Sequence, residues 1–212
     1  MFTSIPDISM TKDHFHLRHQ MRELIAQTAA RLIAEDGIQD YALAKRKAAR
    51  QVGAPDSHSL PANSEVLQAL RAYQELYQKD EQPLRLRQLR QEALAFMLLL
   101  ERFNPHLTGS VLTGTATRHS DINLQLFTDS AKEVELFLIN RNMPYETSEK
   151  RYWLGDEFFQ APTFTLFGDA TEIKIAIFAT DDLRKVAKNP TGSKPLERAR
   201  IKQVEALLET GS

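Results

Sequence analysis

The residues in this chain whose types and spacing could do chemistry lie between Leu107 and Phe127, LTGSVLTGTATRHSDINLQLF. Gly109-Ser110 forms a turn after a short extended segment, Val111 to Ser120 is a polar connection of ten residues, and Asp121 opens a strand that runs to Phe127. Glycine lets the backbone approach an anion closely, and successive free N–H groups beside a serine hydroxyl can hold a phosphate. A carboxylate entering from the neighbouring strand can hold Mg2+ against that phosphate. Side chains alternate along a strand, so Ile122, Leu124 and Leu126 fall on one face and Asp121, Asn123 and Gln125 on the other. One face is expected to be core and the other a site.

This stretch resembles the DNA polymerase beta-like nucleotidyltransferase superfamily. Its signature is hydrophobic-Gly-Ser, about ten residues, then Asp-hydrophobic-Asp/Glu-hydrophobic; Gly109-Ser110 and Asp121-Ile122-Asn123-Leu124 reproduce the spacing, and Gly114 and Ser120-Asp121 fit it too. The resemblance covers Pro105 to about Phe178. It implies a strand, strand, helix, strand order, a nucleoside triphosphate (NTP) as ligand, and Mg2+ or Mn2+ as cofactor. It also implies transfer of a nucleoside monophosphate to an acceptor hydroxyl on a protein, an RNA or a small molecule.

By the same resemblance Asp121, Asn123 and Glu172 are the catalytic and metal-holding set, and Gly109, Ser110, Arg118 and Lys174 the residues that contact the nucleotide. Two positions depart from the pattern. Residue 123 is Asn, whose neutral amide oxygen can ligate a hard cation but removes one formal charge from the centre. The third acid belongs on the strand Thr171 to Phe178, TEIKIAIF, where Glu172 is the candidate and Lys174 faces the same side two residues on. If Lys174 is the match, one carboxylate is left. A plain β-hairpin with a polar outer face would explain the alternation but not the distance from Gly-Ser to Asp.

The elements that must position these residues read as α+β: an N-terminal helical region over 1–82, a nucleotidyltransferase-like mixed β-sheet with flanking helices over 83–180, and a loop and helix over 181–212. Met1 to Lys12 has no clear period and reads as a loose arm. His14, His16 and His19 share no helix or strand face and read as a solvated patch rather than a metal cluster. Met21 to Ile33 recurs at three and four with Gly37 as C-cap, and a second helix spans about Asp40 to Val52. That pair resembles the opening of a tetracycline-repressor type DNA-binding domain, but Ala54 to Pro61 is a loop where a recognition helix would begin, so DNA binding is not expected. Lys45, Arg46, Lys47 and Arg50 read as a basic face, solvated or beside a nucleotide or RNA backbone.

Asn63 is a plausible N-cap for a third helix with Val66, Leu70, Tyr73 and Tyr77 inward, and Lys79 to Pro83 breaks it. A fourth helix from Leu84 to Phe103 buries Leu86, Leu89, Ala93, Phe96, Met97 and Leu100, with Arg85, Arg87 and Arg90 marking a basic first half. Asp129-Ser130 can cap a helix from Ala131 to Arg141. Arg151 to Leu154 and Thr163 to Phe167 read as a hairpin around Gly155-Asp156. Asn189 to Gly192 reads as a loop, and Pro195 sits in the first turn of a last helix to about Leu208. Arg118 and His119 could contact a triphosphate, and Lys188, Lys194, Arg198, Arg200 and Lys202 could close over one or form a solvated helix face.

The 212 residues carry a net charge of -1 and no cysteine, with a pI near 6.6. There is no global basic footprint for nucleic acid, and disulfides and thiolate metal sites are excluded. The start lacks the order of a signal peptide, and the longest apolar run, Ala93 to Leu100, is too short to cross a bilayer. The expectation is a cytoplasmic protein, with three roles in view: a nucleotidyltransferase, a non-catalytic binding or regulatory relative of that fold, and, least favoured, a DNA-binding regulator.

Overall fold

The computed structural model describes residues 8–54, 60–154, 157–169, 171–185, 187–188 and 196–210. It is α+β, and the chain divides into two compact units, Met1–Lys79 and Asp80–Ser212. Among the described residues no helix is long and apolar enough to cross a membrane.

The first unit holds three helices, α1 (Ile8–Asp36), α2 (Tyr41–Gln51) and α3 (Asn63–Tyr77). Residues at a spacing of about four, Ile25, Ala29 and Ile33 on α1, Ala44 and Ala48 on α2, and Val66 and Leu70 on α3, are buried against one another. Alanines on two of the three partners let the backbones approach. Asp40 caps α2, its Oδ1 accepting from the amides of Ala42 at 2.7 Å and Leu43 at 3.2 Å. Gly37, with φ 71, follows α1 as anticipated.

Three expectations change here. The arm expected over Met1 to Lys12 is helical from Ile8, residues 1–7 lying outside the described part. The cap of α3 is Ala62 rather than Asn63, with Glu65 accepting from its amide at 2.6 Å. Tyr77, placed inward by periodicity, is 72% exposed at the helix end. Lys45 is tied down, donating to Pro61 O at 3.0 Å and Asn63 Oδ1 at 2.9 Å, whereas Arg46, Lys47 and Arg50 are exposed. His16 and His19 are exposed on α1.

The second unit opens with α4 (Glu81–Leu99) and a 3-10 turn, Glu101–Phe103. Pro83, expected in the break that follows α3, lies instead in the first turn of α4, where its missing N–H would have had no partner. The chain then forms β1 (Pro105–Thr108), a single helical turn α5 (Ser110–Thr113), β2 (Ile122–Phe127) and α6 (Ala131–Asn140). A long hairpin follows, β3 (Tyr145–Leu154) and β4 (Glu157–Phe167), then β5 (Glu172–Phe178), the short β6 (Ala187–Lys188) and α7 (Ile201–Glu209). The strand order is β1-β2-β5-β4-β3-β6, with β2 and β5 parallel and the remaining pairs antiparallel.

The hairpin is longer than the two short runs anticipated because its ladder continues through Pro162, which faces Glu149 on β3. The turn expected at Gly155-Asp156 lies outside the described residues, as do Asn189 to Pro195. The last helix begins at Ile201, six residues after Pro195. Ahead of it the backbone at Ala199 exchanges hydrogen bonds of 2.8 and 2.9 Å with Leu107, covering the open edge of β1.

One face of the sheet carries Leu107, Ile122, Leu124, Leu126, Ile173, Ile175 and Leu166. It packs against Leu89, Ala93 and Met97 of α4, Val134 and Leu138 of α6 and Val204 of α7. Burying this apolar face holds the strands in one register, since a slip by one residue would turn every side chain over. The opposite face is divided. Phe127, Phe178, Tyr152 and Phe159 cluster at one end, and Asp121, Asn123, Glu172 and Lys174 stand at the other.

Candidate functional site

Gly109 ends β1 with φ 79 and ψ -157, a region open essentially to glycine alone, and Ser110 begins α5. The turn is exposed, and a β-carbon built on Gly109 would lie 3.6 Å from Asn123 Nδ2. The glycine bend and the start of β2 therefore adjoin, as the register of Thr108 opposite Asn123 requires. Asp121, just ahead of β2, is 9% exposed, and the side chains of 121 and 123 share the sheet face that carries the turn.

The connection from α5 to β2 is held by its own hydroxyls and by α4. Ser110 Oγ donates to Ser120 Oγ at 3.2 Å, and Thr117 N donates to the same oxygen at 2.9 Å. Thr171 Oγ1 donates to Ser120 O at 3.1 Å, fastening the loop to the start of β5. From α4, Arg90 donates to Val111 O at 3.2 Å and to Leu112 O at 3.4 Å, and Gln82 donates to Gly114 O and Ala116 O. Arg90, one of the three arginines of the basic first half of α4, is 4% exposed, and burial pulls its guanidinium down from the usual range. It clamps the single turn α5 through two adjacent carbonyls.

The centre of the site is an ammonium. Lys174 lies opposite Asn123 in the parallel register of β2 and β5. Its Nζ donates to Asp121 Oδ2 at 2.5 Å and lies 3.3 Å from Glu172 Oε2. Burial works against its charge, but the hydrogen bonds and charges of Asp121 and Glu172 outweigh that and raise it above the ordinary lysine value. Asn123 does not face the acids as a ligand: its Nδ2 donates to Asp121 O at 3.2 Å and its Oδ1 accepts from Lys150 Nζ at 3.5 Å.

Lys150 was not among the residues singled out from the sequence. It stands on β3, three strands from β2 in the sheet order, and its Nζ reaches Asn123 Oδ1 and lies 5.8 Å from the centroid of the Tyr152 ring. Burial pulls its ammonium below the ordinary lysine range, Lys174 pushes the same way, and Asp121 works against both. Among the described residues it forms no ion pair. Its surroundings in sequence, Ser148-Glu149-Lys150-Arg151, carry no periodic signal that distinguishes it.

Arg118 and His119 are exposed in the loop before Asp121, Arg118 Nε donating to His119 Nε2 at 3.0 Å. Arg198 is not on a helix face. Its guanidinium lies 4.9 Å over the ring of Phe127 and donates to Leu183 O at 3.2 Å. Gln125, expected on the polar face, does lie there between His106 on β1 and Ala176 on β5. It is only 1% exposed, and neither amide atom has a hydrogen-bond partner.

The residues present do not fit the implied Mg2+. Lys174 Nζ holds the carboxylate oxygens that a metal would need, and among the described residues no group of three or more His, Cys, Asp or Glu side chains could hold a metal ion. A divalent ion about 4 Å from that ammonium would meet roughly 8 kcal/mol of repulsion at an effective dielectric of about 20, twice the figure for unit charges. Asp121 and Glu172 are both drawn to Lys174, and Lys150 adds a second positive charge nearby.

Comparison of the chain with protein-family models, with curated proteins and with solved structures finds no match. What the site can do therefore follows from its own groups: an exposed glycine bend, two acids that share Lys174, and one half-buried ammonium bonded to a neutral amide.

Proposed function

We propose that the second unit is a nucleotidyltransferase-like module that binds a nucleoside triphosphate without transferring it. The reading rests on one observation above the others: Lys174 Nζ lies 2.5 Å from Asp121 Oδ2, where a catalytic centre of the resembled kind would hold a metal. Phosphoryl transfer needs charge neutralised between attacking and leaving oxygens, and metal ions supply that in two-metal sites. Here the acid set is short by a carboxylate at 123 and is closed by an ammonium. What persists is the exposed bend at Gly109, adjoining β2, with the ammonium of Lys150 beside it for phosphate oxygens. The role that follows is recognition, with the nucleotide acting as a signal or a stabiliser.

The test is to incubate the full chain with each NTP labelled at the alpha phosphorus, with Mg2+ or Mn2+ and with protein, RNA and small-molecule acceptors. Equilibrium dialysis on the same samples measures retention. The expected result is label retained but not covalently transferred, with retention lost in Gly109→Val, which places a β-branched residue at φ 79. Covalent transfer to any acceptor, or no retention by the unaltered chain, overturns the reading.

A further inference from the structure

The balance of charge at the head of the sheet says more than that a metal does not fit. Asp121 and Glu172 share one cation, Lys174, whose Nζ is 2.5 and 3.3 Å from their oxygens. Those two acids are thereby occupied. Lys150 is the cation left over: half-buried, three strands away from the residue it contacts, and held by a neutral amide oxygen at 3.5 Å, with no ion pair among the described residues. A half-buried ammonium without an ion pair of its own is costly, and its other neighbour is the ring of Tyr152, whose centroid lies 5.8 Å from Nζ. The Lys150 head group faces Asn123, the residue that also backs the exposed bend at Gly109. An ammonium kept unpaired beside an open glycine turn is a half-made ion pair whose missing half is an anion.

We propose that Lys174 takes the place of the metal and that Lys150 receives the ligand's phosphate, so that the anion bound here is a triphosphate free of divalent cation. The proposal rests on the nucleotide-binding reading above and narrows it. A phosphate chain carrying Mg2+ would bring a dication against Lys174 and would have its own charge cancelled where Lys150 needs it. The shared chemistry is that of a linear polyphosphate; a nucleoside triphosphate and inorganic triphosphate are its two sources.

Isothermal titration of the full chain with ATP and, separately, with inorganic triphosphate, each in EDTA and in excess Mg2+, tests the proposal. Binding in EDTA that weakens at least about tenfold in Mg2+ is expected, with Lys150→Gln losing at least about tenfold of the EDTA affinity, the scale of one charged hydrogen bond. ATP binding without inorganic triphosphate binding identifies the nucleoside as part of the ligand, and equal binding assigns the site to the phosphate chain. Binding that requires Mg2+ and disappears in EDTA overturns this inference while leaving nucleotide binding intact. A second measurement, without nucleotide, is Mn2+ binding by electron paramagnetic resonance. The unaltered chain is expected to leave Mn2+ free, and Lys174→Asp combined with Asn123→Asp to bind it. Stoichiometric Mn2+ binding by the unaltered chain overturns the inference whatever the nucleotide result.

Discussion

Replacing Lys174 with Met removes the cation that Asp121 and Glu172 share, and the cost can be worked from their surroundings. The side chain of Asp121 is only 10% exposed, so its bond to Lys174 belongs with charged hydrogen bonds worth about 1.5–3 kcal/mol. Glu172 is 45% exposed and 3.3 Å away, and solvent screening reduces its share to a few tenths of a kcal/mol. The variant is expected to lose about 2–3 kcal/mol at neutral pH. For a unit spanning Asp80–Ser212, with an unfolding entropy of about 2.1 cal/mol/K per residue, that is a fall in Tm of roughly 9 °C.

Most of that loss is the exposure of an unmatched acid rather than the worth of the pair. The double variant Lys174→Met, Asp121→Asn should therefore lose less than the sum of the single variants by at least about 1 kcal/mol. The folded-state pKa of Lys174 lies above its unfolded value, so its contribution is present below about pH 10.5 and is lost as pH rises through the raised value. The gap between the unaltered chain and Lys174→Met should narrow in that range. Urea denaturation followed by circular dichroism measures both effects. Additive single variants, or a Lys174→Met chain as stable as the unaltered one, would refute the reasoning.

Three further outcomes follow from groups around the site. Gln125→Leu removes a buried amide with no partner and should raise stability by about 1–2 kcal/mol in the same denaturation experiment, with a loss counting against the buried-amide account. Arg90→Met should cost about 2–3 kcal/mol, since four backbone acceptors of the 111–116 loop are held from α4 and two of them by this side chain; unchanged amide exchange in that loop would contradict the clamp. Tyr152 has its hydroxyl pushed up to about 12 by burial. Its unfolded form ionises near 10, so between about pH 10 and 12 the unfolded chain binds fewer protons and stability falls; in an absorbance titration near 295 nm Tyr152→Phe should remove one of the late-titrating phenols.

The parts of the site that lie close in sequence were readable, and those that depend on strand register were not. Gly109, Ser110 and Asp121 could be placed because a turn and a period-two strand are local patterns, and the structure sets the bend against β2 through Thr108 and Asn123. The same pattern put Glu172 and Lys174 on one face of β5. Which of the two meets Asp121 depends on the parallel register of β2 with β5, and that register sets Lys174 opposite Asn123.

Lys150 was invisible for a stronger version of the same reason. Its partner lies across β4 and β5, and no window of sequence holds both residues. The burial of Gln125 and Arg90 depends on elements remote in sequence: neighbouring strands flank the first, and the carbonyls of Val111 and Leu112 recruit the second. The strand expected over Thr163 to Phe167 begins earlier, at Glu157, and its ladder with β3 continues on both sides of Pro162.

The account turns on whether an ammonium or a metal sits between Asp121 and Glu172. Crystals of the full chain soaked in MnCl2 with a non-hydrolysable ATP analogue, measured at the manganese absorption edge, decide this directly. The prediction is no anomalous peak between those two acids and Lys174 Nζ within about 3 Å of Asp121, the range of an ordinary charged hydrogen bond. A manganese peak bridging Asp121 and Asn123, with Lys174 turned away, would contradict it.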